Sequence, residues 1–398
     1  MDKFKTQSLP QVTFFFRHIN DLNFSMPLIF FATNPRIIFY EKINLSDRRI
    51  EKLIEKGIAI EKIDSPVINL IYLISDIASA IIKKIGFHQF ASFTSKKINI
   101  IGSILLNRNL LKIAQKDNLF LHNIFAFDHT LTSKSKKLIQ IIRHNAPKGK
   151  NPIVISLPHG ANIFKGRFLS ISDYKPPLEA DYSIFDYVVC NDAQHFYSIK
   201  GSKILIESLF HTKYWFEKMN RSLINNLDTS IEHDRSINVL FVLSKTGRHS
   251  NVHLSEIERC IRIISNFENI SLKIKPHPRG GLSEAKKFIS KFKNITIVYG
   301  DVQPHICEAD YIINIQSNVV LDVFLANKPV IFPTFTTSND LVQDIKDSIN
   351  IASTPDEFYQ IIERISLGGQ IKLPNYNFID WDEGLKKWIK FFSSLESF

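Results

Sequence analysis

The sequence predicts an α/β protein made of two doubly wound domains. Three observations lead there. Short apolar runs without alternation recur along the chain, as buried parallel strands require. Segments with helical spacing of apolar residues separate them. Several runs also stop at compact sets of polar residues, notably Lys275-Pro276-His277-Pro278-Arg279 and Asn314-Ile315-Gln316-Ser317-Asn318. Ligands of open α/β sheets bind at such carboxyl ends. The length of 398 residues suits two domains, 44% hydrophobic residues supply two cores, and 22% charged residues exclude a long disordered chain.

In the first half, Phe14–Ile19 and Met26–Ala32 are expected as strands. Ser46–Lys56 is a polar helix with Ser46 as cap and Gly57 as stop. Val67–Lys84 and Ile104–Gln115 have helical apolar spacing. Leu119–Phe127 is an apolar strand ending at Asp128-His129-Thr130, and a basic helix, Ser133–His144, follows. Ile153–Leu157 ends at Pro158-His159-Gly160, and Tyr187–Cys190 ends at Asn191-Asp192. Lys203–Glu207 is the last strand of this half. Asn220–Arg235 is polar, aperiodic and rich in turn formers. The domains are therefore drawn at 1–219 and 237–380, with a linker at 220–236 and a C-terminal helix at 381–398 that packs back towards the first domain.

The second half reads as a βαβ series. The strands are Ile237–Leu243, Ile270–Ile274, Ile295–Tyr299, Tyr311–Ile315 and Val330–Phe332. The helices between them are Leu254–Asn266, Ser283–Phe292, Gln303–Glu308 and Val319–Ala326. Pro276 pushes Lys275 towards extended backbone, and Pro278 does the same to His277. His277 is thus held at a strand end beside the cations Lys275 and Arg279, which is a site for an anion. Ser317 is expected at a helix N-cap, where its hydroxyl and the free amides suit a phosphate. Ser244 and Lys245, at the end of the first strand of this domain, are candidates to help. In the first half the polar strand ends are Asp128, His159 and Asp192.

Metal-ligand spacing is absent: His249 and His253 lie four residues apart but without the Glu of a zinc-protease helix. Cys190, Cys260 and Cys307 form no paired motif and read as buried thiols of a reducing compartment. The net charge of +11 points to anionic partners, yet no nucleic-acid motif accompanies it. The apolar stretch Val67–Phe87 contains Asp76, Lys83 and Lys84, so it is a core helix or one resting on a membrane surface rather than a spanning one.

The order of motifs resembles that of bacterial GT-B transferases of surface-polysaccharide synthesis. It runs His159-Gly160, Lys165-Gly166, Lys-Pro-His-Pro at 275–278, Ala309-Asp310, Ser317 ahead of Asp322, then Lys328-Pro329. CDP-glycerol glycerophosphotransferases, sialyltransferases and Kdo transferases are the groups it is most similar to. The resemblance implies two Rossmann-like domains with a cleft between them. It implies that His277 and Ser317 hold the donor phosphate and that Asp322 reaches the nucleotide; Lys275, Arg279, Asn318, Ser244 and Lys245 stand at the same strand ends as further donor-binding candidates. Asp128 or His159 would then serve as base or nucleophile in the first domain. Asn318 stands where the glycerophosphotransferases carry a second Ser or Thr, and Pro158 where they carry an aromatic residue.

The expected function is transfer of an acidic sugar such as Kdo or sialic acid from a CMP-linked donor to a glycan or lipid-linked glycan hydroxyl. The alternatives are a CDP-glycerol-type polyol-phosphate transferase and a non-catalytic glycan- or nucleotide-binding module. The expected enzyme needs no metal or other cofactor. It is cytoplasmic, peripheral at most on the membrane, and has no nucleic-acid partner.

Overall fold

The computed structural model describes residues 9–19, 21–41, 43, 47–63, 88–117, 119, 123–128, 132–158, 164–165, 182–190, 202–206, 213–227, 236–244, 252–277, 280–292, 294–315, 317–338, 340–341, 343–376 and 381–396, with scattered helical positions from 68 to 78. The chain divides into two units. One comprises Met1–Gly160, Lys175–Phe210 and Asp382–Phe398; the other comprises Ala161–Tyr174 and His211–Trp381.

The first unit is built on a seven-stranded sheet. Its strands are β1 (Leu9–Phe16), β2 (Ala32–Phe39), β3 (Ala59–Lys62), β4 (Ile124–Asp128), β5 (Ile153–Leu157), β6 (Tyr187–Cys190) and β7 (Lys203–Leu205). They lie in the order β3-β2-β1-β4-β5-β6-β7, every pair parallel. The central strands are buried on both faces: Val12, Thr13, Phe14, Phe15 and Phe16 of β1 are all inaccessible. This explains runs without alternation.

Helices α1 (Asp21–Phe31), α2 (Arg48–Glu55), α3 (His88–Asp117) and α4 (Ser133–Asn145) belong to this unit. Met26–Ala32, expected as a strand, instead lies almost wholly in α1. A run apolar on all sides suits either element, and the buried Leu22, Met26 and Ile29 fall four and three residues apart, on one helical face. The strand is the next stretch, β2. The cap of α2 is Asp47, whose carboxylate accepts from the Arg49 amide at 3.0 Å. β4 begins at Ile124 rather than Leu119, and Asp128 is its last residue. A capping box between Thr132 and Ser135 opens α4.

The second unit holds a six-stranded parallel sheet in the order β10-β9-β8-β11-β12-β13. These strands are β8 (Ile237–Val242), β9 (Ile270–Lys275), β10 (Ile295–Ile297), β11 (Tyr311–Asn314), β12 (Val330–Pro333) and β13 (Asn350–Ala352). Its helices are α5 (Lys213–Leu227), α6 (Leu254–Ser265), α7 (Leu282–Lys291), α8 (Gln303–Glu308), α9 (Val320–Leu325) and α10 (Pro355–Ser366). A short antiparallel pair joins Phe164–Lys165 to Asp340–Leu341.

Alternate residues of each strand feed separate cores. Val239, Phe241 and Leu243 meet Ile257, Ile261 and Ile264 of α6 and Phe358 of α10. Leu240 and Val242 meet Val320 and Val323 of α9 instead. A sheet covered on both faces is the doubly wound arrangement. α5 runs through the start of the segment read as aperiodic. Its apolar stripe is Phe216, Leu223 and Ile224, packed with Cys307 and Leu325. A window opened at Asn220 cuts that period in half. The last helix, α11 (Trp381–Glu396), sets the Phe391 ring edge-on against Tyr187 of β6, with centroids 5.9 Å apart.

Candidate functional site

In the second unit the chain winds one way from β8 to β9 and the other way from β8 to β11, so the crevice at the carboxyl ends opens there. Lys275, Val242 and Asn314 are level across these three adjacent strands. The backbone continues the pairing, Leu243 N to Lys275 O at 3.0 Å and Ile315 N to Val242 O at 3.1 Å. The segments that carry Ser244, His277 and Ser317 therefore leave one sheet edge side by side. The outer two strands are about 10 Å apart, two strand spacings.

The Ser244 and His277 segments are held together by a glycine. Gly280 N donates to His277 O at 3.1 Å and turns the chain. Gly281 then has φ 93° at the cap of α7, and a Cβ there would stand 3.6 Å from both His277 N and Ser244 O. Pro276 is buried and His277 half-buried, while the Lys275 ammonium lies 3.5 Å from Pro276 O.

Ser317 does not cap the helix as expected. The cap of α9 is Val319, and α9 has six residues. Ser317 and Asn318 form tighter turns first, with Val320 N to Ser317 O at 3.2 Å and Leu321 N to Asn318 O at 3.1 Å. The Ser317 hydroxyl accepts from Val319 N at 3.4 Å. The buried Asn314 amide fixes this loop by donating to Ser317 O at 2.9 Å, and its Oδ1 has no partner among the described residues. Asp322, in the first turn of α9, is buried and accepts from Gln303 Nε2 at 3.1 Å. Gln303 in turn accepts from Asn220 of α5 at 3.1 Å.

In the first unit the order reverses between β1 and β4 in the same way. Asp128 is 3% exposed and accepts from the Tyr40 hydroxyl. Lys134, also buried, donates to the Tyr40 carbonyl. Tyr40 follows β2 and bonds its amide to Phe16 O at 3.1 Å. Beside it, His18 after β1 lies 3.6 Å from Glu41. Burial, then the Cys190 thiol and the Asp128 carboxylate, push the Tyr182 phenol above its usual range. His18, Tyr40, Glu41 and Lys134 were not anticipated. Their signal was the run Ile37-Ile38-Phe39 ending at Tyr40-Glu41, which is legible once β2 is taken as a strand. His159, Asp192, Lys245 and Arg279, with most of Val67–Phe87, lie outside the described residues.

No protein-family model matches the chain, and no curated protein does. Solved structures do. The UDP-GlcNAc 2-epimerase from Neisseria meningitidis bound to UDP-GlcNAc is 10% identical, with 97% of this chain and 100% of that chain covered and a TM-score of 0.58. The UDP-GlcNAc 2-epimerase from Methanocaldococcus jannaschii is 11% identical over 96% of this chain and 99% of that chain, with a TM-score of 0.55. At such identities the likeness is one of fold. The chain has the GT-B fold, two Rossmann-like parallel sheets with helices on both faces.

Proposed function

We propose that this protein is a nucleotide-sugar-dependent glycosyltransferase of bacterial surface-polysaccharide synthesis. The observation that carries the reading is the meeting of the Ser244, His277 and Ser317 segments at the winding reversal of the second sheet, with Gly281 closing two of them together. Backbone amides, a hydroxyl and an imidazole at one sheet edge are what a departing nucleotide phosphate requires, because charge develops on its oxygens as the bond to the sugar breaks. In this reading His277 and Ser317 hold that phosphate, with Lys275 and Arg279 supplying positive charge. Asp322 reaches the nucleotide from the first turn of α9, with Gln303 of α8 donating to its Oδ1.

The donor is a CMP-linked acidic sugar such as Kdo or sialic acid, the acceptor a hydroxyl of a glycan or lipid-linked glycan, and no metal is required. The order of motifs supports this choice. UDP is the competing nucleotide, because solved structures of like fold contain UDP-GlcNAc. His159 is preferred to Asp128 as the base, because the Asp128 carboxylate is buried under Tyr40.

Thermal denaturation with CMP, CDP, UMP and UDP tests the reading. A ligand at about one hundred times its Kd stabilises the native state by about 2.7 kcal/mol. That raises the Tm of a domain of this size by roughly 5–10 °C. CMP or CDP is expected to give the largest rise, and His277→Ala to abolish both the rise and transfer. A larger rise with UDP replaces the cytidine donor. No rise with any of the four ends the proposal, and full transfer by His277→Ala removes the assigned site.

A further inference from the structure

Helix α3 has two apolar faces, and the first unit uses one of them. Leu106, Leu110 and Ala114 are buried in the core beneath the sheet, with Leu105 and Ile113 against it. On the other side Ile100, Ile101 and Ile104 are 52%, 58% and 62% exposed. At 100° per residue these three share an arc of about 100°, and the exposed Arg108 and Lys112 fall on the same stripe. A second exposed stripe precedes it. Leu70, Ile74 and Ile77, at helical positions, are 55%, 46% and 49% exposed, while Ile68 enters the same core as Leu106 and Leu110.

Single exposed apolar residues are ordinary, but two ordered stripes on neighbouring stretches are not. The charge around them is mainly positive: residues 68–117 hold seven Lys and Arg against two acidic residues, Asp76 and Asp117. Among the described residues no helix is long and apolar enough to cross a membrane. An apolar stripe flanked by cations on a helix that does not span belongs in the headgroup layer of a bilayer.

We propose that the outer face of α3, with the Leu70–Ile77 stripe, docks on an anionic phospholipid surface, the isoleucines entering the acyl boundary and Arg108 and Lys112 meeting the headgroups. A second copy of the chain would have to bring acidic groups to this face to match the charge. The lipid surface supplies them. Docking here needs no nucleotide, so it stands or falls apart from the donor assignment.

The test is co-flotation of the full chain with vesicles of phosphatidylcholine mixed with phosphatidylglycerol, and with vesicles of phosphatidylcholine alone. Binding is expected to the mixed vesicles and to weaken with salt. Arg108→Gln with Lys112→Gln is expected to weaken it about twenty-five-fold, about fivefold per charge. Ile101→Asn and Ile104→Asn are expected to cost about tenfold each. All four positions are exposed, so unaltered circular-dichroism melts are expected alongside. Failure of the wild-type chain to float, or equal flotation of both sets of variants, overturns the proposal. So does a dimer in lipid-free solution that Ile104→Asn dissociates, since the face then belongs to a second copy.

Discussion

Replacing Gly281 by alanine separates the candidate anion crevice from the rest of the fold. At φ 93° a side chain is strained, and about 1–2 kcal/mol is lost whatever the surroundings. For a domain of roughly 150–250 residues this lowers the Tm by about 2–8 °C. The new methyl meets His277 N and Ser244 O at 3.6 Å, which is ordinary contact, so no clash adds to that loss. It does lie against the backbone of His277 and Ser244, two of the three segments proposed to form the phosphate crevice. Losing one hydrogen bond to a charged group costs about 1.5–3 kcal/mol, so nucleotide affinity is expected to fall ten- to hundredfold. Gly57→Ala is the control, with φ 74° and nothing within 4 Å of the added carbon. Both variants are expected to melt earlier by similar amounts, and titration calorimetry to show weakened nucleotide binding in Gly281→Ala alone. Equal affinities in the two variants would refute the crevice.

Three further outcomes follow from the geometry. Burial works to raise the Asp47 carboxyl, but the hydrogen bonds and charge of the buried Arg49 outweigh it and hold the group below its usual range. Its stabilising contribution is therefore present above the unfolded carboxylate value near 3.8 and lost as pH falls through the lower folded value. Asp47→Asn is expected to cost about 1.5–3 kcal/mol in urea melts at pH 7 and progressively less below pH 4, because it takes the charge from the hydrogen bonds between residue 47 and the buried Arg49. A double-mutant cycle on Gln303→Ala and Asp322→Ala is expected to give a coupling of about 1–2 kcal/mol in denaturant unfolding; additive losses would mean that the 3.1 Å contact does no stabilising. Burial pushes the Cys260 thiol far up, and Cys190 and Cys307 are buried too. A disulfide-exchange reagent at pH 8 is expected to leave all three intact until urea unfolds the chain.

The second unit was legible because its central strands β8, β11 and β12 are buried on both faces, so every residue from Val239 to Leu243 is apolar and the run has sharp ends. β2 was not. It opens with Ala32-Thr33-Asn34-Pro35, of which Thr33 and Asn34 are exposed, directly after the apolar run Met26–Phe31 that ends α1. The eye places the strand on the apolar run, and the residues at the true strand end, Tyr40 and Glu41, then carry no meaning. β13 was illegible for another reason. It has three residues, and Asn350 completes its edge by side chain, donating to Lys372 O at 2.8 Å and accepting from Lys372 N at 3.0 Å. No local pattern encodes a pairing made by an amide side chain.

The candidate site divides along the same line. Pro276 and Pro278 announce from the chain alone that His277 leaves a strand. That His277, Ser244 and Ser317 leave the same edge at the same height is a property of register, Lys275 to Val242 to Asn314. Register is fixed by which alternate residues must reach which core. A slip of one residue would carry Phe241 out of contact with α6 and set Val242 in its place, exchanging the two cores of the sheet. The packing that stabilises the sheet is thus also what brings the three loops level. A core substitution such as Phe241→Ala, remote from any ligand atom, is for that reason expected to lower stability by about 3–5 kcal/mol. In whatever fraction stays folded at low temperature, it is expected to leave nucleotide affinity intact. A fall in affinity larger than the unfolded fraction explains would show that the crevice is set by the core's fine packing rather than by strand register.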